Sequence, residues 1–132
     1  MRDTMSLNGS WRYTPLARVV ITGSGEWAPD TTDLPPPGEM QLPAHWERSG
    51  LPGLAGTVRF ERTFLAPARS AGQAVWLICR GVDYVATVLV NDHRVITHEG
   101  YFQSWECDIS RFLLPGENWL ALDVTCPREE PG

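Results

Sequence analysis

The 132-residue sequence lacks the features of several broad protein classes. It contains no lysine, and its 11 arginines are scattered along a chain of formal net charge −5. This distribution argues against a basic surface for nucleic acid or an anionic membrane. No apolar run is long enough for a transmembrane helix, and the start of the chain lacks the apolar core of a signal peptide. We therefore expect a cytoplasmic protein that binds neither nucleic acid nor membrane.

Cysteine is also scarce and occurs at Cys79, Cys107 and Cys126. The odd count, the wide spacing and the lack of a Cys-x-x-Cys pair argue against a disulfide framework and a zinc site. His93 and His98 do not stand at ligand spacing from a cysteine. We expect no metal and no cofactor. Cys79, among apolar neighbours, is predicted to be a small buried hydrophobe.

Helical periodicity is nearly missing, although residues 108–113 could supply one short turn of helix. Apolar and polar residues alternate with period two instead, as is typical of half-buried strands. These strand-like runs cover residues 11–13, 19–21, 57–65, 84–90 and 119–124. The run from Ala74 to Cys79 is apolar almost throughout, which predicts a central strand covered on both faces.

Turn signals separate the strand-like runs. Asn91-Asp92 predicts a two-residue hairpin, because both residue types tolerate a positive φ. Leu114–Asn118 contains Pro-Gly and predicts a second turn, and the proline-rich stretch Asp30–Gly38 predicts an extended surface loop. Short strands joined by turns predict an all-β fold, a β-sandwich or jelly roll, in a single domain spanning residues 1–132.

Several short motifs occur in a fixed order along the chain. They are Asn8-Gly9-x-Trp11, Leu42-Pro43-x-x-Trp46, Gly56-x-Val58-x-Phe60-x-Arg62-x-Phe64, Gly81-Val82-Asp83-Tyr84, His98-Glu99-Gly100-x-Phe102, Glu106-x-Asp108-Ile109-Ser110 and Pro115-Gly116-x-Asn118-x-Leu120. In this order the sequence resembles the amino-terminal sugar-binding domain of family 2 glycoside hydrolases, which include β-galactosidases, β-glucuronidases and β-mannosidases. The resemblance implies a galactose-binding-domain-like jelly roll. It also implies a parent enzyme with an immunoglobulin-like domain and a catalytic TIM barrel, which we do not expect within residues 1–132.

A retaining glycosidase needs two carboxyl groups about 5 Å apart, one as nucleophile and one as acid/base. The nearest candidates in the sequence are Glu99, Glu106, Asp108, Glu117 and Asp123. The resemblance implies that both catalytic glutamates belong to the barrel, so we expect no catalytic residue and no catalysis in this chain alone. Asp108 is interpreted as a turn or cap residue.

The resemblance implies a sugar-contacting role for the segment around His45. In β-galactosidases the polar residue before the tryptophan of the Pro-x-x-Trp motif helps line the sugar site, and His45 occupies that position here. Histidine can donate or accept a hydrogen bond to a sugar hydroxyl; the alternative is an exposed loop histidine without a role. Trp46 is interpreted either as an anchor of the loop or as a sugar platform.

A second candidate segment is the aromatic run of Tyr101, Phe102 and Trp105, which is predicted to lie in a loop. These side chains could stack on a glycan or pack against other domains of a parent enzyme. Glu99 stands beside them. The candidate carbohydrate-binding residues are therefore His45, Trp46, Glu99, Tyr101 and Phe102. Three functions remain open: an accessory domain that positions a β-linked sugar at the barrel mouth, an autonomous carbohydrate-binding module, and a structural domain that docks on the barrel.

Overall fold

The computed structural model describes residues 6–21, 27–42, 56–67, 73–80, 85–99 and 104–126. In these ranges the chain forms nine strands and a single-turn 3₁₀ helix at Ser110–Phe112, within the predicted helical turn. The strands are β1 (Gly9–Ile21), β2 (Trp27–Asp30), β3 (Gly38–Leu42), β4 (Gly56–Leu65), β5 (Trp76–Arg80), β6 (Val85–Val90), β7 (His93–Glu99), β8 (Ser104–Asp108) and β9 (Glu117–Cys126). No helix in the described ranges is long and apolar enough to cross a bilayer.

Seven strands form the larger of two antiparallel sheets, in the order β2-β1-β4-β9-β6-β7, with β3 also paired to β1. β1 is long enough for three partners. Its residues 12–18 pair with β4 along one edge, while residues 9–13 pair with β3 and residues 18–21 with β2 along the other. The smaller sheet consists of β5 and β8. The two sheets share one hydrophobic core, so the predicted all-β sandwich is confirmed.

The period-two patterns place alternate side chains in that core. β4, β9 and β6 lie side by side in the larger sheet, and their inward residues are buried. These residues are Val58, Phe60, Phe64, Ala86, Val88, Val90, Leu120, Leu122 and Val124. Leu77, Cys79, Trp105 and Cys107 join the same core from the smaller sheet. The alternation predicted for these strands is confirmed in the described residues, as is the burial of Cys79.

The predicted turns are confirmed. β6 pairs with β7 directly across the Asn91-Asp92 turn, and the φ angles of these two residues are 49° and 69°. Asparagine and aspartate adopt this left-handed region more readily than other non-glycine residues. Gly116 has a φ of 84° in the second turn. Residues 31–37 form the predicted loop, which links β2 to β3.

Two predictions about the smaller sheet are wrong. β5 is not covered on both faces, because Leu77 and Cys79 are buried whereas Trp76 and Ile78 are 46% and 40% exposed. The reason is that β5 lies in an outer layer and, among the described residues, pairs only with β8. Trp105 does not lie in a loop but in β8, where it belongs to the core.

A buried polar cluster closes the end of the sandwich that carries the hairpin; we call it the asparagine end. Asn118 is 1% exposed, and its Oδ1 accepts hydrogen bonds of 2.7 Å from Leu114 N and Asn91 Nδ2. Its Nδ2 donates to the carbonyls of Leu114 and Gly116, at 2.9 and 3.0 Å. The Oδ1 of Asn91 accepts from the N–H of Trp119 at 3.0 Å. Both donors and both lone pairs of the Asn118 amide are thereby used.

Candidate functional site

Several strands of the larger sheet finish together at the end opposite the asparagine end. Gly56 at the start of β4 pairs with Cys126 at the end of β9. Val85 at the start of β6 pairs with Thr125 on one side and with Glu99, the last residue of β7, on the other. These five residues form a row across four strands, which we call the loop end.

The smaller sheet reaches the loop end as well. Residues 81–84 connect Arg80, the last residue of β5, to Val85, and residues 100–103 connect Glu99 to Ser104, the first residue of β8. Arg80 and Ser104 pair with each other. These two connections between the sheets therefore start and finish at strand ends on this side of the sandwich.

Four of the five predicted carbohydrate-binding residues lie outside the described residues: His45, Trp46, Tyr101 and Phe102. The first two stand between Leu42, which pairs near the start of β1, and Gly56. The last two stand between Glu99 and Ser104. The segment with Tyr101 and Phe102 therefore begins and ends at the loop end, whereas the segment with His45 and Trp46 runs from Leu42, on the side of the asparagine end, to Gly56 at the loop end.

Glu99, the fifth predicted residue, is exposed at the end of edge strand β7. The other carboxylates considered above are spread over the molecule. Glu106 and Asp108 lie on the smaller sheet, and Glu117 starts β9 near the asparagine end. Asp108 accepts a 2.8 Å hydrogen bond from the N–H of Ser110, which confirms its interpretation as a turn residue.

Asp123 is engaged in a structural ion pair on the outer face of the larger sheet. Arg59 binds its carboxylate through two hydrogen bonds of 2.7 and 2.9 Å. The hydrogen bond to Asp123 raises the pKa of the Arg59 guanidinium. Both oxygens of this carboxylate are therefore used in a structural contact with Arg59.

The loop end contains an aromatic contact between the two sheets that the sequence did not predict. The ring of His98, on β7, stacks on the indole of Trp105, on β8, with 4.7 Å between centroids and an interplanar angle of 11°. The indole N–H of Trp105 is buried without a hydrogen-bond partner. His98 and Trp105 each stand within two residues of the segment 100–103, so this stack joins the two strands that frame Tyr101 and Phe102.

Glycine is required at the loop end where β4 meets β1. A Cβ at position 56 would overlap the carbonyl oxygen of Ala17 and lie 2.9 Å from the Cα of Arg18. The β1–β4 register shifts between Pro15 and Ala17, and the backbone of the next residues of β1 lies against Gly56. The segment that contains His45 and Trp46 therefore enters β4 through a position that accepts no side chain.

The two buried thiols of the smaller sheet belong to the hydrophobic core and are poor candidates for chemistry. Burial, and then the neighbouring Cys107, raise the pKa of Cys79 to about 12. Burial and the charge of Asp108 raise the pKa of Cys107 to about 11. Both remain neutral near physiological pH and pack as small hydrophobes. In the described ranges, no group of three or more His, Cys, Asp or Glu residues is placed to hold a metal ion.

Residues 55–131, more than half of the chain, match the family model described as "Glycosyl hydrolase 2 galactose-binding domain-like". The chain belongs to this domain family of glycoside hydrolase family 2. The resemblance found in the motifs and the galactose-binding-like fold are therefore confirmed.

Individual relatives of this family 2 domain are β-glucuronidases. A β-glucuronidase of Paenibacillus borealis is 30% identical over 129 residues, which are 93% of this chain and 21% of the relative. The β-glucuronidase of Bifidobacterium dentium complexed with coumarin-3-O-glucuronide superposes with a TM-score of 0.71 at 27% identity, over 90% of this chain and 19% of that chain. A Faecalibacterium prausnitzii β-glucuronidase superposes with a TM-score of 0.70 at 26% identity, over 92% of this chain and 20% of that chain. This domain thus spans about a fifth of the length of its β-glucuronidase relatives.

Proposed function

We propose that the chain is a non-catalytic accessory domain of a family 2 glycoside hydrolase that helps shape the sugar site of a retaining β-glycosidase. The observation that carries the proposal is the match over nearly the whole chain to β-glucuronidases about five times as long. The remaining length of such a protein accommodates the immunoglobulin-like domain and the catalytic barrel that the family resemblance implies. The substrate class we propose for the parent protein is a β-glucuronide, after the names of these relatives.

The loop end is the part of the domain that we assign to the sugar site. The segment with Tyr101 and Phe102 begins and ends there, and the segment with His45 and Trp46 enters β4 there. The asparagine end is closed by a hydrogen-bonded turn. A histidine, an exposed carboxylate and two aromatic rings supply the hydrogen bonds and the flat apolar faces that sugar rings bind. In this proposal His45 contacts a sugar hydroxyl and Trp46 anchors its loop.

Replacing His45 with alanine in the full-length polypeptide is expected to lower kcat/KM for a chromogenic β-glucuronide about two- to tenfold, the loss of one hydrogen bond of roughly 0.5–1.5 kcal/mol. The melting temperature should hardly change, because surface substitutions usually stay within about 0.5 kcal/mol. Trp46→Ala should instead destabilise the domain by about 3–5 kcal/mol, as expected for removal of an aromatic anchor.

The matched control is His93→Ala, which removes an exposed histidine beside the hairpin at the asparagine end. It should leave kcat/KM unchanged. If His45→Ala leaves kcat/KM unchanged, the loop is not part of the sugar site. If His45→Ala lowers the melting temperature and Trp46→Ala does not, His45 is the anchor and Trp46 the sugar-contacting residue. Measurable affinity of the isolated chain for glucuronides would favour the autonomous carbohydrate-binding module instead.

A further inference from the structure

The two outer faces of the sandwich differ in chemistry. On the larger sheet the outer side chains satisfy one another. Arg59 pairs with Asp123, the indole N–H of Trp119 donates to Glu61 at 3.0 Å, and two pairs of threonine hydroxyls hydrogen bond across neighbouring strands. This face has the polar, internally paired surface that is typical of a sheet facing water.

The outer face of the smaller sheet carries two exposed apolar side chains on β5 and two exposed acidic side chains on β8. Trp76 and Ile78 of β5 are exposed there, and their cross-strand neighbours are Asp108 and Glu106 of β8. Glu106 makes no hydrogen bond or ion pair within the described part of the chain. We call Trp76, Ile78, Glu106 and Asp108 the docking face.

The sequence of β5 indicates that this face is covered in the functional protein. From Trp76 to Cys79 its residues are apolar on both faces, the pattern of a strand buried on both sides, and Arg80 ends the run. In β4 and β6, by contrast, outward positions hold residues such as Arg59 and Thr87. The apolar outward residues of β6, Val85 and Leu89, are only partly exposed, whereas Trp76 and Ile78 are 46% and 40% exposed.

We propose that the docking face packs against the rest of the glycoside hydrolase polypeptide, on an apolar surface edged by arginine or lysine. The proposal rests on the proposed function, which makes the chain one domain of a longer protein. About four-fifths of the length of its β-glucuronidase relatives lies outside this domain and is available to cover the face. Glu106 requires a cationic partner at the edge of such an interface, because a buried unpaired carboxylate is costly.

A second copy of the chain fits the docking face less well. A two-fold dimer places the same patch on both sides of the interface. It would therefore bring the Glu106 and Asp108 carboxylates of one copy close to those of the other, and like charges in a desolvated interface oppose association. The acidic edge favours a basic partner of different sequence.

The test is a cysteine footprint in two contexts, the isolated 132-residue chain and the full-length polypeptide. Ile78→Cys is introduced in a Cys126→Ser background and labelled with a maleimide near neutral pH, where the buried thiols of Cys79 and Cys107 do not compete. We expect the full-length polypeptide to be labelled at least about tenfold more slowly than the isolated chain, because the interface must open before the thiol reacts. The matched control, Thr63→Cys on the exposed outer face of the larger sheet, should be labelled at the same rate in both.

Equal labelling of Ile78→Cys in both contexts would overturn the proposal. Protection already present in the isolated chain, with a dimer in sedimentation velocity, would assign the face to a second copy instead. As a second variant, Ile78→Lys should lower the melting temperature of the full-length polypeptide but not that of the isolated chain. These outcomes do not depend on the sugar site. If position 78 is protected from labelling while His45→Ala leaves kcat/KM unchanged, the docking face is supported and the proposed role of the loop end is not.

Discussion

Replacing Asn118 with alanine is expected to lower the free energy of unfolding by about 2–4 kcal/mol. The substitution removes four hydrogen bonds in a side chain that is 1% exposed. Each partner left buried without a bond costs about 1–3 kcal/mol, but Leu114 and Gly116 are exposed and water can replace part of the loss. The amide of Asn91 loses its bond to Asn118 while keeping the one to Phe112, so the hairpin is also weakened.

Urea unfolding of the isolated chain measures this loss, and Glu117→Gln is the matched control. Glu117 is the exposed neighbour of Asn118 on the same strand. Its substitution should change stability by less than about 0.5 kcal/mol. If Asn118→Ala proves as stable as the control, the polar cluster does not fix the asparagine end.

Leu120→Ala is expected to destabilise the domain by about 2–5 kcal/mol, the range for a leucine removed from a packed core. Leu120 is fully buried on β9, which lies between β4 and β6, so the cavity is walled on both sides by paired strands that cannot easily collapse. Leu65→Ala is the matched control, because Leu65 lies on the neighbouring strand but is 66% exposed. Equilibrium unfolding should separate the two variants by at least about 2 kcal/mol; similar losses would contradict the assignment of the core.

The strands that are best predicted from the sequence are those with one face against the core and the other against solvent. β4, β6 and β9 alternate because one face meets the core and the other meets solvent, and the hairpin is marked by two residues suited to positive φ. β2, β3 and β8 have only four or five residues each, too few for a clear period. In β8, Trp105 and Cys107 alternate with two acidic residues, a pattern that indicates a strand. Grouping Trp105 with Tyr101 and Phe102 as one aromatic run led to the prediction of a loop instead.

The pairing of strands could not be predicted from the sequence in the same way. β9 lies between β4 and β6 although many residues separate it from β4 along the chain, and alternation within a strand does not name its neighbours. The loop end is a consequence of this pairing, so the position of Gly56 and Glu99 at the same end of the sheet emerged only from the fold. The roles of His45, Trp46, Tyr101 and Phe102 remain predictions based on the family resemblance.

The apolar run in β5 was misread for a physical reason. Apolar residues on both faces of a strand show that both faces are covered but not what covers them. The domain itself supplies the cover for Leu77 and Cys79 only.

Hydrolysis of p-nitrophenyl β-D-glucuronide, measured side by side for the isolated 132-residue chain and the full-length polypeptide, tests the proposed accessory role most directly. We expect turnover by the full-length polypeptide and none above the uncatalysed rate by the isolated chain, because no catalytic carboxylate pair is assigned to this domain. Turnover by the isolated chain that persists in independent preparations, and is abolished by Glu99→Gln or Glu106→Gln, would contradict a non-catalytic role.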